Sequence, residues 1–385
     1  MSEGSVRGKT AIVGAATFGL GVAPGHGAID LAAKAALLAL SDAGLQPRDV
    51  DALFVCLPED FLSGLSMAEY LGIDPVISDN NRTGGSAFLT HVEMAATALN
   101  AGLCEVALIT YGSNQRSASG KLVGATTTTN DLETRYRPLV PVSAYALAAS
   151  RHMHVYGTTR SQLAEVAVAA RGWAALNPDA FARDPLTIDD CLSSRMISDP
   201  LTVRDCCLVT DGAGAIVMTR AERARSMLRS AVYVLGTGSA TTHREISSMP
   251  DLTVTGAADS GKRAYAQARL GPDDIDMVQM YDAFTINPIL FLEDLGFCPK
   301  GEGGRFVEKG ALAPGGVLPV NTNGGGLSCV HPGMYGIFTL IEATQQIRRE
   351  CGARQLDRAD VALCHGSGGS LSHQATVILG SEAAL

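Results

Sequence analysis

Two residues stand where an acid or base could work. His331 is followed by Pro332 and Gly333 in a glycine-rich stretch, ten residues after Asn321. An imidazole held that way can donate a hydrogen bond to a developing oxyanion or move a proton. Tyr281 opens Tyr281-Asp282-Ala283-Phe284 at the end of the strand pattern Met277–Met280, where ligand crevices of α/β sheets lie, and its phenol could donate a proton. Taken alone, a histidine in such a place is more often a capping or core residue, and a bare tyrosine more often core. Cys364, in Cys364-His365-Gly366-Ser367-Gly368-Gly369 at another strand end, reads as an acid/base thiol or as a small buried residue. Asn321-Thr322-Asn323-Gly324-Gly325-Gly326 has the composition of a strained polar loop. Gly84-Gly85 precedes a helix start, where close backbone approach and free N–H groups favour an anion or a thiolate, or simply tight packing.

Short β-rich runs alternate with alanine-rich helical runs and would position these groups. Thr10–Val13, Ala52–Cys56 and Val106–Thr110 read as strands. Asp30–Ala43, with Asp30 at or near its N-cap and Gly44 past its end, reads as a helix, as does Phe88–Asn100, closed by Gly102. The rhythm predicts a parallel or mixed sheet covered by helices. It then repeats. Ala43-Gly44-Leu45-Gln46-Pro47-Arg48-Asp49-Val50-Asp51 before one strand is echoed by Ala268-Arg269-Leu270-Gly271-Pro272-Asp273-Asp274-Ile275-Asp276 before another, and Thr83–Phe88 by Asn323–Ser328. The chain therefore reads as two βαβαβ copies related by a pseudo-twofold. The expected division is 1–112 with 204–235, a loop-rich insertion at 113–203, and 236–385. The insertion, with its Thr126–Thr129 run, the segment Tyr136–Tyr145 and helix signals over Ser161–Asn177, fits substrate-binding loops or a structural lid equally.

Composition limits the function classes. The 385 residues are 46% hydrophobic, 18% charged and 5% aromatic, with 42 glycines and a net charge of −9. Such a chain buries a large aliphatic core, and the lack of basic runs argues against nucleic-acid partners. Pro24 and the glycines of residues 10–29 argue against membrane insertion. Nine cysteines without a CxxC pair or zinc spacing fit free thiols in a reducing cytoplasm, and no metal site is expected.

In this order the segments resemble the thiolase superfamily, nearest to its sterol-carrier-protein-type branch and thiolase-like relatives. Asp199-Pro200-Leu201, Asp205-Cys206-Cys207 and Asp211-Gly212-Ala213-Gly214-Ala215 are similar to that branch's DPL…DCC…DGAAA. Tyr281–Phe284 is similar to its HDCF, and Asn321–Gly325 with His331-Pro332 to NxxGG…GHP. The resemblance implies an α/β duplicated βαβαβ thiolase fold in five αβαβα layers with an inserted loop domain. It implies a coenzyme A thioester as substrate without a permanently bound cofactor, and a homodimer. The branch's nucleophilic cysteine (NCSTGS) falls on Asn81, so the nucleophile position is vacant. The HDCF His and Cys are replaced by Tyr281 and Ala283.

A cleft for acyl-CoA without a nucleophile suits retro-aldol cleavage of a β-hydroxyacyl-CoA. Some thiolase-like steroid side-chain aldolases work this way, using tyrosines and a small zinc-ribbon/OB-fold partner in a heterotetramer. The roles implied are Tyr281 as proton donor or base, and His331 on the thioester oxygen, oriented by Asn321 or Asn323. Cys364 is a secondary acid/base group, and Gly366 and Gly368 admit substrate to the backbone. Acyl transfer through a thiol stays open as a second mechanism, and a non-catalytic acyl-CoA-binding or scaffolding subunit as a second function.

Overall fold

The computed structural model describes residues 6–118 and 131–385, and the Thr126–Thr129 run lies outside them. The first half runs β1 (Thr10–Gly21), α1 (Ala28–Asp42), β2 (Ala52–Cys56), α2 (Ser63–Leu71), β3 (Ile77–Asp79), α3 (Ala87–Asn100) and β4 (Val106–Ser113). It closes with β5 (Asp211–Arg220). Between β4 and β5 lie α4 (Val142–Tyr156) and α5 (Arg160–Ala175). The second half runs β6 (Val232–Thr241), α6 (Ala257–Ala268), β7 (Met277–Met280), α7 (Ile286–Asp294), α8 (Gly336–Ile347), β8 (Val361–Gly368) and β9 (His373–Gly380).

Among the described residues these strands form one sheet ordered β3-β2-β4-β5-β1-β6-β9-β8-β7. Read outward from its middle, each half has the same order, β1-β5-β4-β2 and β6-β9-β8-β7. In each of these orders the outermost pair, β2/β4 or β7/β8, is parallel and the inner pairs are antiparallel. Within the sheet, among the described residues, the halves pair at two positions, Ala11↔Tyr233 and Ile12↔Val232. Even the edge repeats, because β3 on β2 is matched by a parallel bridge from Val278 to Val320.

Local chemistry repeats as well. Asp51 accepts the N–H groups of Glu105 and Val106 at the start of β4, and Asp276 accepts those of Asp360 and Val361 at the start of β8. Each aspartate thereby ties the strand it opens to the parallel neighbour that returns after a helix. Helices α1 and α6 cover the outer faces, while α3 and α8 pack against strands of both halves. This gives five layers, α1, the first-half strands, α3 with α8, the second-half strands, α6. Glycine is what lets the outer helices lie so close. A Cβ on Gly14 would stand 2.1 Å from the Ala39 carbonyl, and one on Gly236 would stand 2.2 Å from that of Ala264.

Two expectations shift. Gly27 caps α1, and Asp30 sits at its third position, accepting the Gly27 N–H at 2.8 Å. The helix expected over Ser161–Asn177 is Arg160–Ala175, opened by Thr159, whose side chain and that of Gln162 cap each other's backbone N–H.

Candidate active site

The end of β7 delivers Tyr281 to the space between the halves. Its N–H continues the ladder to the His365 carbonyl at 2.9 Å. Its ring, 6% exposed, stands edge-on to His331 with centroids 5.5 Å apart. The hydroxyl lies 2.9 Å from His331 Nε2 and 3.4 Å from the Gly333 carbonyl. His331 is tied at its backbone to Thr210, whose Oγ accepts the His331 N–H at 3.0 Å. Its Nδ1 is buried without a partner. Burial pushes the Tyr281 phenol well above its ordinary pKa and pulls the His331 imidazole down to about 4. At neutral pH the pair is therefore an uncharged phenol on an uncharged imidazole, able to exchange a proton along one hydrogen bond.

The ring has room because residue 85 is glycine. A Cβ there would stand 1.8 Å from Tyr281 Cε2. Gly85 belongs to the first-half loop ahead of α3, and Asn81 is spent within that loop. Its Oδ1 accepts the Thr83 N–H, and its own N–H donates to Asp79. Arg82 holds the carbonyls of Pro58 and Asp60. Residues 79–86 contain no cysteine.

The structure brings Tyr281 and His331 together and gives the other candidates different neighbours. Asn321, with φ +53°, accepts the Met280 N–H at 2.7 Å. Asn323 accepts the Gly325 N–H and the Tyr335 hydroxyl, each at 2.8 Å. Both asparagines fasten the loop, and neither bonds to the His331 ring. Gly366 and Gly368 admit the first-half loop, since Cβ atoms there would meet Ser86 Cα at 2.9 Å and the Thr83 carbonyl at 1.8 Å. Cys364 shares their face of β8 but lies two residues deeper, about 7 Å along a strand. Fully buried, it donates to the Thr339 carbonyl of α8 at 3.5 Å, and burial raises its thiol pKa.

Three contributors escape residue-type reasoning. Tyr145 of α4 stacks on Phe284, centroids 4.4 Å apart, and donates to the Gly369 carbonyl at 3.1 Å. Tyr335 stands edge-on to Tyr281 with centroids 6.1 Å apart. Asp282 accepts the N–H groups of Gly326 and Leu327 at 2.6 and 3.3 Å. Asp282 lies inside the motif Tyr281–Phe284 and Tyr145 ends the segment Tyr136–Tyr145, but neither stretch assigned the residue itself a role. A cavity of about 440 Å³ lined by Asn177, Asn323, Phe338, Glu342 and Arg354 opens behind the loop and includes neither Tyr281 nor His331. Among the described residues no cluster of His, Cys, Asp or Glu could hold a metal ion, and no helix is long and apolar enough to cross a membrane.

Comparison with known proteins agrees with this fold. A model of the thiolase C-terminal domain-like family matches residues 238–381. An acetyl-CoA acetyltransferase of Methanothermobacter thermautotrophicus is 34% identical, over 89% of this chain and 91% of its own. A 17-hydroxy-3-oxo-4-pregnene-20-carboxyl-CoA lyase of Mycobacterium tuberculosis is 33% identical, over 89% of this chain and 92% of its own. A solved structure of an Ltp2-ChsH2(DUF35) aldolase superposes with a TM-score of 0.88 at 32% identity, covering 98% of this chain and 99% of that one. The chain belongs to the thiolase superfamily, in the sterol-carrier-protein-type branch with its thiolase-like relatives.

Proposed function

We propose that this chain cleaves the Cα–Cβ bond of a β-hydroxyacyl-CoA by a retro-aldol reaction, with no acyl-enzyme. The observation that carries the reading is the Tyr281–His331 hydrogen bond at 2.9 Å, beside a first-half loop that offers no thiol. The lyase and aldolase relatives support it. The β-hydroxyl proton passes to the Tyr281 oxygen as the phenol's own proton moves to His331 Nε2. The Cα–Cβ electron pair flows into the thioester as its enolate, and Cα then takes back the proton held by the pair, from His331 Nε2 by way of the Tyr281 hydroxyl, which restores both groups. The products are a carbonyl compound and the shortened acyl-CoA. An imidazole at about 4 is a poor base in the resting site. Negative charge growing on the thioester oxygen raises its pKa as the bond breaks, so the pair accepts the proton when cleavage needs it.

Coenzyme A thioester is the substrate, and no permanent cofactor takes part. Helix α4 of the insertion serves as one wall of the site, supported by Tyr145 against Phe284. By similarity to the solved Ltp2-ChsH2(DUF35) aldolase we infer assembly with a DUF35-type partner, which the family resemblance implies is a small zinc-ribbon/OB-fold protein bound to a homodimer of this chain. The cytoplasm is the compartment that nine free thiols favour.

The test is turnover of a β-hydroxyacyl-CoA by the chain with and without such a partner. Tyr281→Phe, which removes one hydroxyl and no packing, lowers kcat by about 10²–10⁴-fold with unchanged thermal unfolding. Equal turnover by Tyr281→Phe, or an acyl adduct seen by intact mass, refutes the reading.

A further inference from the structure

The residue after Tyr281 is the one the mechanism leaves unused. Asp282 is 1% exposed, and among the described residues its carboxylate has no cationic partner. It is surrounded by donors from one loop, the Gly326 N–H at 2.6 Å, the Leu327 N–H at 3.3 Å, and the Asn321 side chain. The loop is shaped to this group. A Cβ on Gly325 would stand 2.0 Å from Asp282 Oδ2, and one on Gly326 would stand 3.0 Å from Oδ1 and 3.1 Å from the His331 ring. Gly324 and Gly325 take φ +105° and +64°, values open to glycine and strained for other residues. The wide helical turn Gly325–Cys329 then leads directly into His331.

We infer that Asp282 is the positioning residue of the Tyr281–His331 pair. By binding the N–H groups of Gly326 and Leu327, its carboxylate fixes the turn that holds His331 Nε2 at the phenol one residue away. One backbone position thus carries the phenol, and the next sets where its partner stands. A carboxylate suits this task because it accepts on both oxygens, whereas a carboxamide has one oxygen to accept with and would point an N–H at an N–H.

Burial also pushes the Asp282 pKa up to about 7, against the downward pull of the N–H donors around it. The titratable groups facing it are Tyr281 beside it in the chain, Cys207 from the segment before β5, Cys329 in the turn and Tyr335 ahead of α8. None of them is cationic. As pH falls through this value the carboxyl gains a proton and loses an acceptor, so the hold on the turn weakens on the acid side.

The experiment compares wild type with Asp282→Asn and Asp282→Glu in the full chain with its partner. The kinetic arm rests on the retro-aldolase reading. Asp282→Asn lowers kcat at least tenfold, changes KM less than threefold, and removes the acid limb near pH 7 that wild type shows. The second arm is independent of the reaction. The ¹⁵N shift of His331 Nε2 in histidine-labelled protein moves in Asp282→Asn toward its value in Tyr281→Phe, because both lose the phenol contact. If wild type turns over no β-hydroxyacyl-CoA but the shift moves, the proposed function fails and the positioning role stands. If Asp282→Asn keeps the wild-type shift, kcat and acid limb, Asp282 positions nothing.

Discussion

The contact between Gly85 and Tyr281 gives the sharpest test of how the two halves share one site. In Gly85→Ala the new Cβ would stand 1.8 Å from Tyr281 Cε2, 2.5 Å from Cδ2 and 2.8 Å from Cζ. Carbon atoms in contact need about 3.5 Å, so the ring must retreat by about 1.7 Å. His331 and Tyr335 stand edge-on around it, so it cannot move without displacing them. Overpacking of this kind costs about 1–3 kcal/mol. A shift of that size also takes the hydroxyl, now 2.9 Å from Nε2, beyond hydrogen-bond range. Misplacement of about 1 Å in a reacting group costs about 10²-fold, so kcat falls by at least that factor. The assay is steady-state cleavage with urea unfolding of the same preparations. Combined with Tyr281→Phe, the change lowers kcat little further, since the hydroxyl it displaces is already gone. Full activity and unchanged unfolding in Gly85→Ala would refute the steric reasoning.

Two further outcomes follow from burial. His331, held neutral with its pKa lowered from 6.5 to about 4, binds fewer protons folded than unfolded between those values, so folding weakens as pH falls from 6.5 to 4. At 1.36 kcal/mol per pKa unit this is about 3 kcal/mol. It is read as a loss of wild-type stability relative to His331→Gln by urea unfolding at pH 7 and 4.5, a comparison in which the opposite trend from Asp282 cancels. Cys364→Ala keeps kcat within about threefold and lowers stability by about 1 kcal/mol, by the same two assays. A loss comparable to that of Tyr281→Phe would restore Cys364 as an acid or base.

The duplicated fold was legible because its markers are local and repeated. Alternation of strand and helix, glycines where outer helices press on strands, and the aspartates Asp51 and Asp276 two residues past a proline turn all survive as letters. Tyr281 and His331 were legible because strand ends and Gly-Pro loops advertise themselves. What could not be read was direction and depth. Cys364, Gly366 and Gly368 share a face, and only the height at which the first-half loop crosses β8 shows that two meet the loop while the first is buried below it. The asparagines of the 321–326 loop looked like ligands for histidine or substrate because their polarity is visible and their backbone partners are not. Tyr145 comes from the insertion, over a hundred residues from Phe284 in sequence, and no periodicity encodes that meeting.

The glycine at position 85 also has a meaning for how such a site can change over generations. Tyr281 belongs to one copy of the duplicated unit and the gap that admits it to the other. A bulkier residue at 85 is harmless only once the aromatic ring at 281 has gone, and the ring is tolerable only while 85 stays bare. The two positions are thus epistatic across the pseudo-twofold. A lineage moving between a side chain on the first loop and a phenol on the second avoids the overpacking cost of about 1–3 kcal/mol only by passing through an intermediate that has neither.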